Sequence, residues 1–251
     1  MRRNLSAIAV TLGMALLPLA APSPALGAVP GVELLYRGDL RAAGTVADSS
    51  GHGLDGTIET GGGGTVTSVH GPRNTRFLRF PGGSCPVAPC PQAIVRPVNG
   101  APLTPADATF SFGADVRLTA PPPASAGMNI FQLGAAAAGL SQWKVQVDSG
   151  RPSCRWSDGA AVVLLIADVT LSVDTWYRIR CTRTGTRFET RVTHPVTGRP
   201  VVPPVRQTLA MGPIVPAGSP VIGGKRINAA QSDVDTDQFH GDLDNLYFWK
   251  A

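Results

Sequence analysis

Several long segments of the chain alternate apolar and polar residues, which is the period of a half-buried β-strand. The segment ATFSFGADVRL, residues 108–118, puts its apolar side chains on one face and its polar side chains on the other. Residues 142–150, 176–192 and 241–249 also have strand character, with Thr184-Gly185 as a predicted hairpin turn inside the second of these segments. The pattern predicts an all-β protein, built as a two-sheet antiparallel β-sandwich. The predicted inward residues on two of these strands are Phe110, Phe112, Ala114, Val116, Leu118, Trp143, Val145 and Val147.

Composition favours strands and turns over helices. Glycine (29 residues) and proline (23 residues) are abundant, whereas only three glutamates and three lysines occur in 251 residues. Residues that stabilise surface helices are therefore scarce. The alanine-rich segment FQLGAAAAGL, residues 131–140, lies between two predicted strands and carries glycines, so we interpret it as a strand and a turn.

The N-terminus has the pattern of an export signal. Two arginines precede an apolar run at residues 7–17, and small residues offer cleavage after Gly27 or Ala28. We assign residues 1–28 to a signal peptide and residues 29–251 to one domain, whose length suits a single large all-β unit. The apolar run is shorter than the roughly 20 residues that cross a bilayer, and no later segment is long enough. A secreted, extracellular protein without a membrane span is predicted.

Four cysteines in an exported chain predict two disulfides. Three pairings are possible. We favour Cys85 with Cys90, which closes a tight loop in SCPVAPC, and Cys154 with Cys181, which lie in two separate predicted strands. Zinc is the rival ligand, but neither spacing resembles C-x2-C and no histidine neighbours the cysteines.

The basic charge does not indicate a nucleic-acid partner. The formal net charge of +5 falls to +3 when the two arginines of the signal peptide are removed. The remaining arginines are scattered singly, without a basic run or a nucleic-acid-binding motif. The sequence therefore predicts no binding to nucleic acid.

Four motifs carry a resemblance to a known family. In chain order they are VADSSGHGLDGTI (46–58), TFSFGADVRL (109–118), DTWYRIRCTRTGT (174–186) and FHGDLDNLYFW (239–249). Their order resembles that of the laminin-G-like, concanavalin A-like jelly-roll domains of secreted bacterial proteins, over roughly residues 31–250. The resemblance implies that the first and last strands lie side by side. It also implies a non-catalytic binding module for carbohydrate or another extracellular polymer.

The C-terminal segment concentrates five aspartates in twelve residues. An EF-hand is excluded because Gln238 stands where the loop needs glycine and no helices flank the segment. The alternative is an exposed acidic turn, solvated and unpaired. These residues are Asp233, Asp235, Asp237, Asp242 and Asp244.

The resemblance implies a structural Ca2+ shared by Asp48, in the opening turn, and Asp244, in the closing strand. Calcium prefers six to eight oxygen ligands in a flexible shell. The alternative is that Asp48 forms an Asx-type turn and that Asp244 bonds to backbone amides or to an arginine.

Catalytic and ligand-binding residues are harder to identify. Glucanases similar to these domains carry a Glu-x-Asp-x-Glu strand, whereas the three glutamates here are isolated. Asp242 and Asp244 share a strand face, so an atypical carboxylate pair is possible. Trp156, next to a turn in SCRWSDG, is the candidate exposed aromatic for stacking on a sugar, while Trp176 and Trp249 are expected in the core or at its rim. A glycan-active hydrolase or lyase and a protein-adhesion domain are the alternatives to a carbohydrate-binding module.

Overall fold

The protein is described by a computed structural model over residues 30–41, 44–72, 75–83, 85–124 and 127–251. The predicted signal peptide, residues 1–28, lies outside the described residues. One four-residue helix, α1 (Asp233–Thr236), and a 3-10 turn at Ala101–Leu103 accompany the strands of the described part. The strands are β1 (Val32–Arg41), β2 (Thr45–Asp48), β3 (Gly56–Gly61), β4 (Thr67–His70), β5 (Arg76–Arg79), β6 (Gln92–Pro97), β7 (Phe110–Leu118), β8 (Gly127–Gly134), β9 (Ser141–Asp148), β10 (Arg151–Asp158), β11 (Val162–Ile166), β12 (Trp176–Thr184), β13 (Arg187–Thr193), β14 (Val205–Thr208), β15 (Val221–Ile222) and β16 (Gly241–Lys250).

The named strands pair antiparallel in one hydrogen-bonded path. The order is β11-β10-β9-β8-β15-β6-β3-β2-β1-β16-β7-β12-β13-β14, with β4 and β5 branching off at β16. The strands at the two ends of the path, β11 and β14, approach each other, so the sheet is nearly closed into a barrel. The all-β prediction is confirmed. The predicted division into two separate sheets is not observed. The short strands β2 and β15 hydrogen-bond to a strand on each side and so join the strands into one continuous path.

The two ends of the described domain meet as neighbouring strands. β1 pairs antiparallel with β16, and Leu35 lies opposite Tyr247. β16 in turn pairs with β7, and β7 with β12. The predicted contact between the first and last strands is confirmed, and these four strands form the platform of the site described below.

The core lies between the inward faces of the curved sheet. Phe112 and Phe248 pack on the indole of Trp143, with ring centroids 4.7 and 5.1 Å away, respectively. All eight side chains that alternation predicted to point inward are buried. The period-two pattern therefore assigned the strand faces correctly.

Both favoured disulfides form. Cys85 bonds to Cys90 within a loop, and Cys154 bonds to Cys181. The second bond joins β10 to β12, which are not neighbours in the sheet, and both of its cysteines are fully buried. It therefore ties two halves of the sheet together across the interior.

The turn between β12 and β13 begins one residue later than predicted. Thr184 still pairs with Arg187, so Gly185 and Thr186 form the two-residue turn. Gly185 has φ +57°, which glycine adopts without the penalty of a side chain.

Candidate functional site

An open groove runs along the outer face of β1, β16, β7 and β12. It consists of three adjoining depressions with volumes of about 570, 500 and 590 Å³, and all three are lined by Asn245. The strands cross beneath it, so its walls come from residues far apart in sequence.

Strand register builds the floor of the groove. Gly113 on β7 lies between Tyr247 on β16 and Arg180 on β12. A Cβ atom at Gly113 would stand 2.0 Å from the carbonyl oxygen of Ile179, so glycine is required at this close approach of two backbones. The missing side chain leaves a gap between the tyrosine and the arginine.

Partly exposed tryptophans line the two ends of the groove. At one end, Trp249 and Tyr247 form an apolar wall. At the other end, Trp176 packs edge-to-face on Phe77, with ring centroids 5.4 Å apart. Trp249 packs against Gly31, where an added Cβ would lie 2.3 Å from the indole nitrogen.

An ion pair occupies the centre of the groove. Arg178 donates two hydrogen bonds to Asp115, at 2.6 and 2.7 Å. The side-chain amide of Asn245 donates a third, at 3.0 Å. Asp115 is therefore a carboxylate whose negative charge is balanced within the site.

Asp244 lies directly opposite Asp115 in the register but has no hydrogen-bonded arginine. Its carboxylate accepts a hydrogen bond from the backbone N–H of Asn245 at 2.7 Å. Burial raises the pKa of Asp244 to about 6, and the nearby charge of Asp115 adds to the increase.

A β-bulge brings two consecutive polar side chains into the groove. The register of β16 against β7 shifts between Asp244 and Tyr247, and Asn245 has φ +46°. A bulge interrupts the normal alternation of faces. Asp244 and Asn245 therefore both line the groove, although they are adjacent in sequence.

Asp48 forms the Asx-type turn that was the alternative to a calcium ligand. Its two oxygens accept hydrogen bonds from the backbone N–H groups of Leu35, Ser50 and Leu54, at 3.0, 2.9 and 2.9 Å, and from the Ser50 hydroxyl at 2.6 Å. Among the described residues, no group of three or more His, Cys, Asp or Glu side chains could hold a metal ion. Both oxygens of Asp48 are therefore hydrogen-bonded within the protein, and calcium binding by Asp48 and Asp244 stays a prediction.

The expectation of an exposed, unpaired acidic turn is wrong for three of the five aspartates. Asp233, Asp237 and Asp242 are buried, whereas Asp235 is exposed. A buried carboxylate needs partners, and each of the three has them.

Each buried aspartate of this segment is paired with a basic side chain. Asp233 contacts the imidazole of His240 at 2.5 Å, and Asp237 contacts two lysines, Lys144 at 3.0 Å and Lys225 at 2.9 Å. Asp242 accepts hydrogen bonds from Arg79 and Arg117. The carboxylate pair of Asp242 and Asp244 that strand parity allowed is disfavoured, because Asp242 is fully buried and bonded to these arginines.

The expectation that Trp156 is exposed is also wrong. Its side chain is fully buried and packs on Phe188 and Phe112, with ring centroids 5.3 and 6.0 Å away. A sugar ring has no exposed indole face to stack on there. The signal was present in the sequence, because Trp156 shares strand parity with Cys154, which the predicted disulfide already placed inside.

The sequence pattern does not identify most of the groove residues, because they are spread over four strands. Trp176 and Trp249 are expected in the core or at the rim of the core. In the structure they are partly exposed and lie at the two ends of the groove. Arg180 and Gly113 carried no recognisable motif. Only the cross-strand register brings these residues together.

No protein-family model matches the sequence, and a search of curated proteins gives no match. Solved structures do resemble the fold. The binding domain of Paraclostridial Mosquitocidal Protein 1 superposes with a TM-score of 0.56 at 14% identity, over 88% of this chain and 49% of that one. The receptor binding domain of botulinum neurotoxin D superposes with a TM-score of 0.57 at 12% sequence identity, over 87% of this chain and 49% of that one. The botulinum neurotoxin serotype G binding domain superposes with a TM-score of 0.56 at 12% identity, over 87% of this chain and 47% of that one.

These similarities establish the all-β fold, and the chain spans about half the length of each of these structures. They do not establish the laminin-G-like or concanavalin A-like identity that the motifs suggested. In the described part of the chain, no helix has the length and apolar character needed to cross a bilayer.

Proposed function

We propose that this protein is a secreted, non-catalytic module that binds a carbohydrate or another extracellular polymer in the outer-face groove. The observation that carries the proposal is an open groove with a partly exposed tryptophan near each end, Trp249 and Trp176, and polar side chains between them. Aromatic rings supply apolar contact area, and the arginine and asparagine side chains supply hydrogen-bond donors.

The dimensions of the groove suit an extended ligand. The residues of β7 that lie opposite Trp249 and Trp176 are Ser111 and Arg117. Six residue steps along a strand cover about 20 Å. A groove of this length accommodates several units of a polymer more readily than one small molecule.

Fold and chemistry support export and binding. Two disulfides are typical of an oxidising, extracellular compartment, and the N-terminal pattern predicts secretion. The printed names of the similar structures call them binding domains or receptor binding domains. At these low identities they support a binding role for this chain only by analogy. The laminin-G-like, concanavalin A-like assignment stays part of this proposal.

The test is a binding screen of the secreted chain against immobilised polysaccharides, with Trp249→Ala as the groove variant. We expect loss of one stacking platform to weaken binding by about tenfold. Leu164→Ala is the control, because Leu164 is 48% exposed on β11 and does not line the groove. Equal affinity of Trp249→Ala and the unaltered protein would contradict the assignment of the groove.

A second candidate is a glycan-cleaving enzyme, favoured by two carboxylates of the groove that lie opposite each other, Asp115 and Asp244. Asp115 is held by Arg178, whereas burial raises the pKa of Asp244 to about 6. Two carboxyl groups in such different environments resemble an acid paired with a charge-stabilising carboxylate. New reducing ends after incubation with a bound polysaccharide, lost in Asp244→Asn, would establish this activity. Binding without new chain ends leaves the non-catalytic proposal standing.

A further inference from the structure

Arg180, on the platform strand β12, is an exposed groove arginine without a carboxylate partner among the described residues. Arg178, two residues earlier on the same face, forms an ion pair with Asp115. On the neighbouring strand, Glu189 pairs with Arg191 at 2.9 Å and also with Arg206 on β14 at 2.6 Å. No carboxylate of the described residues lies within 4.0 Å of Arg180.

Strand pairing places Arg180 beside a like charge. Its cross-strand neighbour on β13 is Arg191, and its neighbour on β7 is Gly113. Like charges directly opposite each other on adjacent strands are destabilising. The sheet therefore holds an exposed arginine next to a second arginine and an empty position, an arrangement that does not favour folding.

Tyr247 lies on the other side of the gap left by Gly113. The guanidinium carbon of Arg180 is 5.9 Å from the centre of the Tyr247 ring, within the range of a cation–π contact. The phenolic oxygen of Tyr247 is buried beside the side chains of Ser111 and Arg180, and burial raises the pKa of the hydroxyl. The ring and the hydroxyl of Tyr247 therefore both lie against Arg180 and hold its guanidinium at this end of the groove.

We propose that Arg180 and Tyr247 form an anion-binding subsite at this end of the groove, and that the bound polymer is an acidic polysaccharide carrying carboxylate or sulfate groups. This inference rests on the proposed function. The planar guanidinium offers paired donors that match such an anion, and the tyrosine positions the guanidinium. Ser111 and Thr182 line the same depression.

Of the four aspartates that line the three depressions, one, Asp115, lines the depression that contains Arg180. Asp115 is two residues from Gly113 along β7, roughly 7 Å by strand geometry, and its charge is balanced by Arg178. Asp244 lies opposite Asp115, in the same row of the sheet. The subsite is therefore one row away from both carboxylates.

The experiment compares polysaccharides that differ only in charge: polygalacturonate with its methyl ester, and dextran sulfate with dextran. The proteins are the unaltered secreted chain, Arg180→Gln, Tyr247→Phe and Arg226→Gln. Arg226→Gln is the matched control, because it removes the same charge from an exposed residue that does not line the groove. Affinities are measured by calorimetry at one ionic strength.

We expect the unaltered protein to bind the charged member of at least one pair at least tenfold more tightly than its neutral partner. Arg180→Gln is expected to lose about tenfold or more, and Tyr247→Phe about threefold, as for hydrogen bonds to a charged group and to a hydroxyl. Arg226→Gln is expected to bind as the unaltered protein does. The preferred pair identifies the anion as carboxylate or sulfate.

Thermal unfolding without ligand separates a binding role from a structural one. Removing an arginine that lies opposite a like charge is expected to leave Tm unchanged or to raise it. A fall in Tm in both variants, with affinity unchanged, would show that the two side chains serve the fold.

Two further outcomes distinguish the subsite from the proposed function. Equal binding of charged and neutral polymers, or an equal loss in Arg226→Gln and Arg180→Gln, overturns the subsite and leaves polymer binding intact. If no polysaccharide binds, the proposed function fails. The anion-binding subsite is then tested separately with free galacturonate. A shift of the Arg180 side-chain NMR resonance on addition of galacturonate supports it, and an unshifted resonance overturns it.

Discussion

The acidic C-terminal segment and the outer-face groove differ in how their charged residues are paired. In the segment, Asp233, Asp237 and Asp242 are buried and each is paired. In the groove, Asp244 lacks a hydrogen-bonded arginine and Arg180 lies opposite another arginine. The two regions are adjacent on β16, since Asp242 and Asp244 are two residues apart on one strand.

This difference separates residues that stabilise the fold from residues available to a ligand. A buried charge persists only with partners, so the paired aspartates serve to fix the closing segment against β5, β7 and β9. Groove residues with unmatched charges or hydrogen bonds contribute little to folding. Natural proteins retain such unfavourable groups mainly at functional sites.

The largest expected effect comes from breaking the paired region. Asp242→Asn leaves Arg79 and Arg117 without their shared counter-charge in a site where Asp242 is fully buried. We expect the free energy of unfolding to fall by about 3 kcal/mol, measured by urea denaturation at pH 7. The control is Asp39→Asn, whose exposed pair with Arg76 at 3.5 Å should contribute less than about 1 kcal/mol. Equal losses in the two variants would contradict the distinction.

A smaller change in the free energy of unfolding, an increase, is expected when the charge of Asp244 in the groove is removed. The folded-state pKa of Asp244, about 6, lies above its ordinary value of 3.8, so the folded protein binds this proton more tightly. The resulting stability is fully present below about pH 4 and is lost as the pH rises through 6. Asp244→Asn should therefore raise stability at pH 7 by about 1 kcal/mol, after allowance for solvent screening.

Urea denaturation of both proteins from pH 4 to pH 8 checks this prediction. The difference between them should grow between pH 4 and pH 6 and then level off. Asp235→Asn, at an exposed position of the same segment, is the control. A variant less stable than the unaltered protein at pH 7 would show that the Asp244 carboxylate has a partner that stabilises it.

The smallest expected effect is a change in Tm on removal of Ca2+. Binding of this ion by Asp48 and Asp244 stays a prediction. A bridging ion requires Tm to fall on addition of EDTA and to recover with excess Ca2+. An unchanged melting curve, together with no metal by elemental analysis, would contradict the site. Such a result would leave the hydrogen bonds of Asp48 to backbone amides as its whole role.

The strands were predictable because alternation is a local property with one buried face. Phe112 and Val145 were placed inside correctly, and the disulfide between Cys154 and Cys181 followed from the cysteine count and from the tight loop that pairs Cys85 with Cys90. The pairing of Asp242 was not predictable, because Arg79 lies 163 residues earlier in the chain. Local sequence cannot indicate such long-range partners.

The groove was hidden for the same reason. Tyr247, Gly113 and Arg180 form one row only because three strands align in a particular register. The bulge at Asn245 further changes which side chains point outward, and alternation alone assigns that position to the interior. Motif reading favoured Trp156 instead, a residue of the core.

The most direct test of the account is NMR chemical-shift mapping of residues 29–251 during titration with oligogalacturonate. We predict that the largest shifts fall on the outer-face residues of β16, β7 and β12, centred on Tyr247, Gly113 and Arg180. Shifts confined to the opposite side of the sheet, at β10 and β11, or spread evenly over all surface arginines would contradict the claim that this groove is the binding site.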